Sequence, residues 1–115
     1  MRTVLAIVAA TLLAGCASSA MNQSRVGQPD RIFNSTKDVA KVAECTQFSW
    51  QDEASFGVDA SGYLEQANGV VTVSTRGGEY FADITAAGGG SLIKFYAQKD
   101  DALAQRRMAA LATCL

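Results

Sequence analysis

The sequence has no histidine. That excludes Ser-His-Asp and Cys-His catalysis, the HExxH zinc-protease motif and every histidine-based zinc site. It also has no surplus of positive charge: ten Lys and Arg stand against eleven Asp and Glu, for a formal net charge of −1. Nothing here would neutralise a phosphate backbone, so nucleic acid is not an expected partner. One proline and ten glycines in 115 residues exclude collagen-like and proline-rich chains. The longest apolar run, Val4 to Leu13, is broken only by Thr11. As a helix it spans about 15 Å, half the hydrocarbon core of a bilayer, and is too short to cross one. What is present is 49% apolar and 18% charged residues, the make-up of one globular domain.

The start of the chain reads as an address. A single positive charge, Arg2, precedes the apolar run, which has the size and flanks of a signal-peptide core. Leu13-Ala14-Gly15-Cys16 follows at once. These four residues resemble the lipobox of bacterial lipoproteins. The resemblance implies cleavage before Cys16, a diacylglycerol on its sulfur and an acyl chain on its new amine. Each buried CH₂ contributes about 0.8 kcal/mol, so two or three chains make a stable anchor. Ala17 after the cysteine implies sorting to the outer membrane in a Gram-negative host, where Asp in that place retains a lipoprotein in the inner one. The other reading is plain secretion with a cut after Ala20 in Ser18-Ser19-Ala20.

The expected layout is a signal peptide over 1–15, a lipidated Cys16 with a flexible tether over 16–34, and a small α+β periplasmic domain over 35–115. The tether region holds Ser, Asn, Gln, Gly and the only proline, Pro29, with no helical or strand period. As a random coil it would reach about 20–25 Å. Ile32 and Phe33 at its end are expected to dock on the domain as a hydrophobic staple. Val39, Val42, Ala43, Thr46 and Trp50 then fall on one helical stripe, predicting a helix over 36–49 capped by Ser35 or Thr36. Strands are predicted over 62–67, 70–75, 79–86 and 91–97. Asn68-Gly69, Arg76-Gly77-Gly78 and Gly88-Gly89-Gly90 supply the turns. Phe56 and Val58 belong to the first strand or to the loop before it. Asp100 and Asp101 open a second helix that runs to the C-terminus, with Leu103, Ala104, Arg107, Met108, Leu111, Cys114 and Leu115 on one side. The stem of Arg107 is expected to pack while its head reaches water. The fold class is therefore α+β, in the order α-β-β-β-β-α: a four-stranded antiparallel meander with two helices on one face.

Setting Cys16 aside leaves Cys45 and Cys114. In an exported protein they can form a disulfide linking the two helices, closing a loop of about 70 residues and contributing about 4.4 kcal/mol in the chain-entropy model. Two buried free thiols are the other reading. The spacing is not that of a CxxC redox pair.

Residues that could carry chemistry are few. Ser91-Leu92-Ile93-Lys94 matches SxxK, but a strand puts Ser91 and Lys94 on opposite faces. Gly88-Gly89-Gly90 lacks the Lys and Ser or Thr of a phosphate loop. Asp52-Glu53 and Asp100-Asp101 are paired acids without calcium-loop spacing. No catalytic residue, metal or cofactor is expected. Trp50, Tyr63, Tyr80 and Tyr96 are the candidate binding surface if the sheet face away from the helices is bare; otherwise they complete the core or line the sheet edge. An unpaired edge strand is a second candidate. The segment from Val42-Ala43-Glu44-Cys45 to Trp50, the glycine-punctuated strands and the terminal cysteine resemble small bacterial lipoproteins without an assigned activity. The expected function is that of an outer-membrane-anchored, non-catalytic interaction module for another envelope protein. The alternative is a lipoprotein that binds a small molecule or glycan on an aromatic sheet face, and a carboxylate-only hydrolase using Asp52 or Glu53 is the third possibility.

Overall fold

The structure is a computed structural model and describes residues 18–53 and 61–115. Cys16 and the stretch over 1–15 expected to be a signal peptide, and Phe56 and Val58, lie outside the described residues. A helix over 18–26, α1, precedes strand β1 (Arg31–Ser35) and helix α2 (Val39–Asp52). Strands β2 (Tyr63–Ala67), β3 (Val70–Ser74), β4 (Tyr80–Ala87) and β5 (Gly90–Ala97) follow, and helix α3 (Ala102–Ala112) closes the chain. The sheet is antiparallel, in the order β1-β5-β4-β3-β2.

The α+β class holds, with a disulfide between Cys45 and Cys114 whose Cα atoms are 5.6 Å apart. The four-stranded meander is there as β2 to β5, but a fifth strand and a third helix join it. Both arise within the stretch expected to be a tether. Phe33 sits opposite Ile93 of β5 and packs on the core, whereas Ile32 is 53% exposed. Strand alternation sends neighbouring side chains to opposite faces, so only one member of the expected pair docks.

The α2 stripe is buried as its spacing predicts, at Val42, Ala43, Thr46 and Trp50. Its N-cap is Asp38, whose carboxylate accepts from the Lys41 N–H at 2.9 Å, rather than Ser35 or Thr36. Ser35 is already the last residue of β1. The Asn68-Gly69 turn has positive φ at both positions, 54° and 78°. A tight two-residue hairpin with the right twist requires that geometry, and Asn-Gly adopts it most readily. At Gly90 the constraint is space: an added Cβ would lie 2.0 Å from the Ser35 carbonyl oxygen.

The main core lies between the sheet and the α2–α3 layer. It holds Val42, Trp50, Val73, Tyr80, Ile84, Ile93, Phe95 and Leu111. Trp50 meets Phe95 edge-on, with ring centroids 6.3 Å apart. Arg107 is 1% exposed, against the expectation that its head reaches water. Its Nη1 donates to the Trp50 carbonyl at 3.2 Å, and the Trp50 indole N–H donates back to the Arg107 carbonyl at 3.0 Å. The Trp50 carbonyl belongs to the last turn of α2, where the helix dipole favours a cation. That makes burial of this guanidinium tolerable and clasps the two helices. The disulfide ties the same pair further along.

The opposite sheet face is covered by α1. Met21, 4% exposed, forms a second cluster with Phe81 and Tyr96, whose rings stack at 4.7 Å. No helix among the described residues is long and apolar enough to cross a membrane.

Candidate functional site

Two surfaces stand out: the polar seat under α1 and the free edge at β2. The seat is built from a cross-strand row. Thr72 of β3 pairs with Asp83 of β4, and the Thr72 hydroxyl donates to Asp83 Oδ1 at 2.7 Å. Arg25 of α1 reaches down onto this pair. Its Nε bonds Asp83 Oδ2 at 2.6 Å, and its Nη2 bonds Asp83 Oδ1 at 2.8 Å and Thr72 Oγ1 at 3.2 Å. A guanidinium fork matched to a carboxylate in this way is the strong, directional form of an ion pair. The hydrogen bonds to Asp83, offset in part by burial, hold the Arg25 pKa above its usual value. The guanidinium also lies 4.9 Å from the centroid of the Phe81 ring. Met21 and Arg25 are four residues apart and so share one face of α1.

Of the two edge strands, β1 and β2, only β2 has all five residues exposed. Tyr63 is 50% exposed and Leu64 44%. Among the described residues no strand pairs with its outer side. The hairpin closes on Ala67 opposite Val70. In a two-residue hairpin that closing pair is hydrogen-bonded, and bonded pairs alternate along the ladder. Leu64 and Gln66 therefore turn their backbone N–H and C=O groups outward, ready to pair with another strand.

The four aromatic candidates do not form one surface. Trp50 is fully buried in the main core. Tyr80 is 3% exposed on the same side, and its hydroxyl donates to Asp101, with the two carboxylate oxygens at 2.9 and 2.8 Å. Burial first, then the bond to Asp101, pushes the Tyr80 pKa up to about 12. Tyr96 lies under α1, and burial raises its pKa as well. Only Tyr63 faces solvent. The expected bare face is absent because α1 occupies it. Register still links two of these positions, Tyr63 and Tyr96: Tyr63 sits opposite Ser74, Ser74 opposite Phe81, and Phe81 opposite Tyr96. Tyr63 is thus the exposed end of a row whose other end is covered.

The remaining candidates have structural partners. Asp101 caps α3 by accepting from the Ala104 N–H at 2.9 Å. That bond first, and the Tyr80 hydroxyl second, lower its pKa. Glu53 pairs with Arg106, and Asp100 accepts from Gln105. Ser91 is buried and donates to the Lys37 carbonyl, while Lys94 is exposed on the other face. Among the described residues no group of three or more Cys, Asp or Glu side chains is placed to hold a metal ion. Sequence reasoning missed Met21, Arg25, Thr72 and Asp83. Comparisons with protein-family models, curated proteins and solved structures found no match.

Proposed function

We propose that this chain is an outer-membrane-anchored lipoprotein, held by lipid on Cys16, that acts as a non-catalytic interaction module for another envelope protein. The observation that carries the interaction reading is the β2 edge. It offers two outward backbone positions, at Leu64 and Gln66, beside the half-exposed side chains of Tyr63 and Leu64. An extended segment of a partner adds there as a sixth strand: main-chain bonds supply affinity and the alternate side chains supply selectivity. The anchor rests on the lipobox resemblance of Leu13-Ala14-Gly15-Cys16, and the outer-membrane location on Ala17. The Cys45–Cys114 disulfide suits an exported domain.

The test is photo-crosslinking in intact cells from a reactive residue at Leu64, with and without Gln66→Pro. Proline at Gln66 removes an outward N–H and leaves the β2–β3 ladder intact. A discrete adduct with one envelope protein, lost with Gln66→Pro at unchanged melting temperature, supports the proposal. No adduct, or one indifferent to Gln66→Pro, overturns it. The small-molecule or glycan alternative now rests on Tyr63, the only one of the four aromatics that is open to solvent. A ligand-induced melting shift abolished by Tyr63→Ala would favour it.

A further inference from the structure

We infer that the strand received at the β2 edge is a basic one: an antiparallel segment with Lys or Arg opposite Glu65 and an aliphatic side chain opposite Leu64. Recognition of this kind rests on the edge pairing proposed above and adds the chemistry of the partner.

The register carries each β2 residue into a row that crosses the sheet. Leu64 sits opposite Val73, Val73 opposite Ala82, and Ala82 opposite Phe95. The last three are fully buried in the main core, whereas Leu64, the outer end of the row, is 44% exposed. An aliphatic residue set against Leu64 takes apolar surface out of water and extends the core by one strand.

The next residue points to the other face. Glu65 sits opposite Thr72, Thr72 opposite Asp83, and Asp83 opposite Lys94. Arg25 lies over the middle of this row, with its fork on Asp83 and a bond to Thr72. From Lys94 outward the charges alternate in sign: Lys94, Asp83, Arg25, Glu65. The Asp83 charge is matched by Arg25. Glu65, at the open end, is exposed and has no hydrogen bond or ion pair among the described residues. A cation on the incoming strand is the next member of the series.

The backbone places that cation well. Leu64 and Gln66 carry the outward N–H and C=O groups, so they form the hydrogen-bonded pairs with an antiparallel partner. Glu65 falls between them in a non-bonded pair, where Cα atoms approach to about 4.5 Å and side chains come closest. The flanking elements leave room: a groove of about 510 Å³ runs past Tyr63, Leu64 and Glu65, bordered by Met21 of α1 and Gln47 of α2. A second copy of β2 fits poorly. The antiparallel register that pairs all five residues sets Glu65 against Glu65, and like charges directly opposite are destabilising.

The probes are two seven-residue peptides, Ser-Thr-Leu-Lys-Leu-Thr-Ser and its counterpart with Glu at the centre, each carrying photo-leucine at both Leu positions. They are photo-crosslinked, below saturation, to the oxidised full-length protein, and adducts on β2 are read by mass spectrometry. We expect the Lys peptide to label β2 about 3- to 10-fold more than the Glu peptide. Glu65→Gln should level the two, Glu65→Lys should reverse them, and 1 M salt, with a screening length of about 3 Å, should shrink the ratio towards one. Gln66→Pro should abolish both adducts at unchanged melting temperature. Equal labelling by the two peptides, lost with Gln66→Pro, would overturn the basic partner while leaving the edge reading standing. A dimer of the chain that Gln66→Pro dissolves would overturn it in favour of a second copy. No adduct on β2 from either peptide, or adducts indifferent to Gln66→Pro, would overturn the edge reading and the basic partner with it.

Discussion

The pair of Arg25 and Asp83 decides whether α1 belongs to the domain, and it can be measured by a double-mutant cycle. The bonds at 2.6 and 2.8 Å are bidentate, and the side chains are 29% and 12% exposed. Exposed pairs contribute about 0.2–1 kcal/mol, and hydrogen bonds to charged groups about 1.5–3. This pair is partly screened on the Arg25 side and well sheltered on the Asp83 side, so a coupling energy of about 1–2 kcal/mol is expected. Since 1.4 kcal/mol is a factor of ten, Arg25→Ala should raise the opening constant of α1 about 5- to 30-fold. The loss is local: protection of the α1 amides in hydrogen exchange should fall, while the amides of β4 and β5 keep theirs. Asp83→Ala should act alike, and the double variant should be less destabilised than the sum of the two. Additive effects, with coupling below about 0.3 kcal/mol, would refute the claim that this ion pair seats the helix.

Other consequences follow from single contacts. Reducing the disulfide, or Cys114→Ser with Cys45→Ser, should cost about 2–4 kcal/mol and lower the melting temperature by more than about 10 °C in calorimetry; a shift within about 1 °C would sink the stapling argument. Gly90→Ala forces a Cβ to 2.0 Å from the Ser35 oxygen, with the Ser35 carbon and Thr36 Cα at 3.0 Å, all backbone atoms that cannot swing aside. It should cost about 1–3 kcal/mol and loosen the β1–β5 junction first, seen as exchange of the β1 amides. Tyr80 is held neutral, with a pKa of about 12 against an ordinary 10. The folded state thus keeps a proton that the unfolded state releases, and stability should fall as pH rises from about 10 towards 12. Denaturation at stepped alkaline pH should show that limb, and Tyr80→Phe should flatten it. The lowered Asp101 carboxyl acts in the opposite sense. Its contribution is complete above the ordinary carboxylate pKa and is lost as pH falls through the folded value, and Asp101→Asn should weaken that acid limb.

The parts of the fold that were legible in the sequence are those where many residues repeat one signal. The α2 stripe needs its apolar residues at helical spacing, and Val42, Ala43 and Trp50 supply them. The strands β3 to β5 are rich in β-branched and aromatic residues between glycine turns. Helix α1 offers no such repetition: among 18–26 only Met21 and Ala20 precede the outward Val26, which is 89% exposed. One buried methionine makes no period. Its second attachment is an arginine, which looks like surface until Asp83 is known to lie beneath it. Strand β1 has the same weakness, with Phe33 its only residue packed on the core. The aromatic surface failed for a different reason. Sequence places Tyr63, Tyr80 and Tyr96 on separate strands but does not give their pairing. The register sets Tyr80 opposite Ala97, which puts it on the other face from the row of Tyr63, Phe81 and Tyr96.

The two faces of the sheet differ in kind, and that difference bears on function. Beneath α2 and α3 the contacts are apolar, clasped by Trp50 with Arg107 and closed by a covalent bond. Opening that side exposes the whole core and breaks the domain. Beneath α1 the contacts are one methionine on two stacked rings and one arginine on a Thr72–Asp83 pair. Opening this side costs far less, because Arg25, Asp83 and Thr72 all regain water, and only Met21, Phe81 and Tyr96 lose apolar burial. The domain therefore has a durable half and a lightly held half. The lightly held half continues the row that ends at exposed Tyr63. A partner strand on β2 would sit beside that row, so its side chains and α1 would compete for, or share, the same ground around Glu65 and Met21, which already line one groove with Tyr63. On this geometry, α1 and the β2 edge are parts of a single surface.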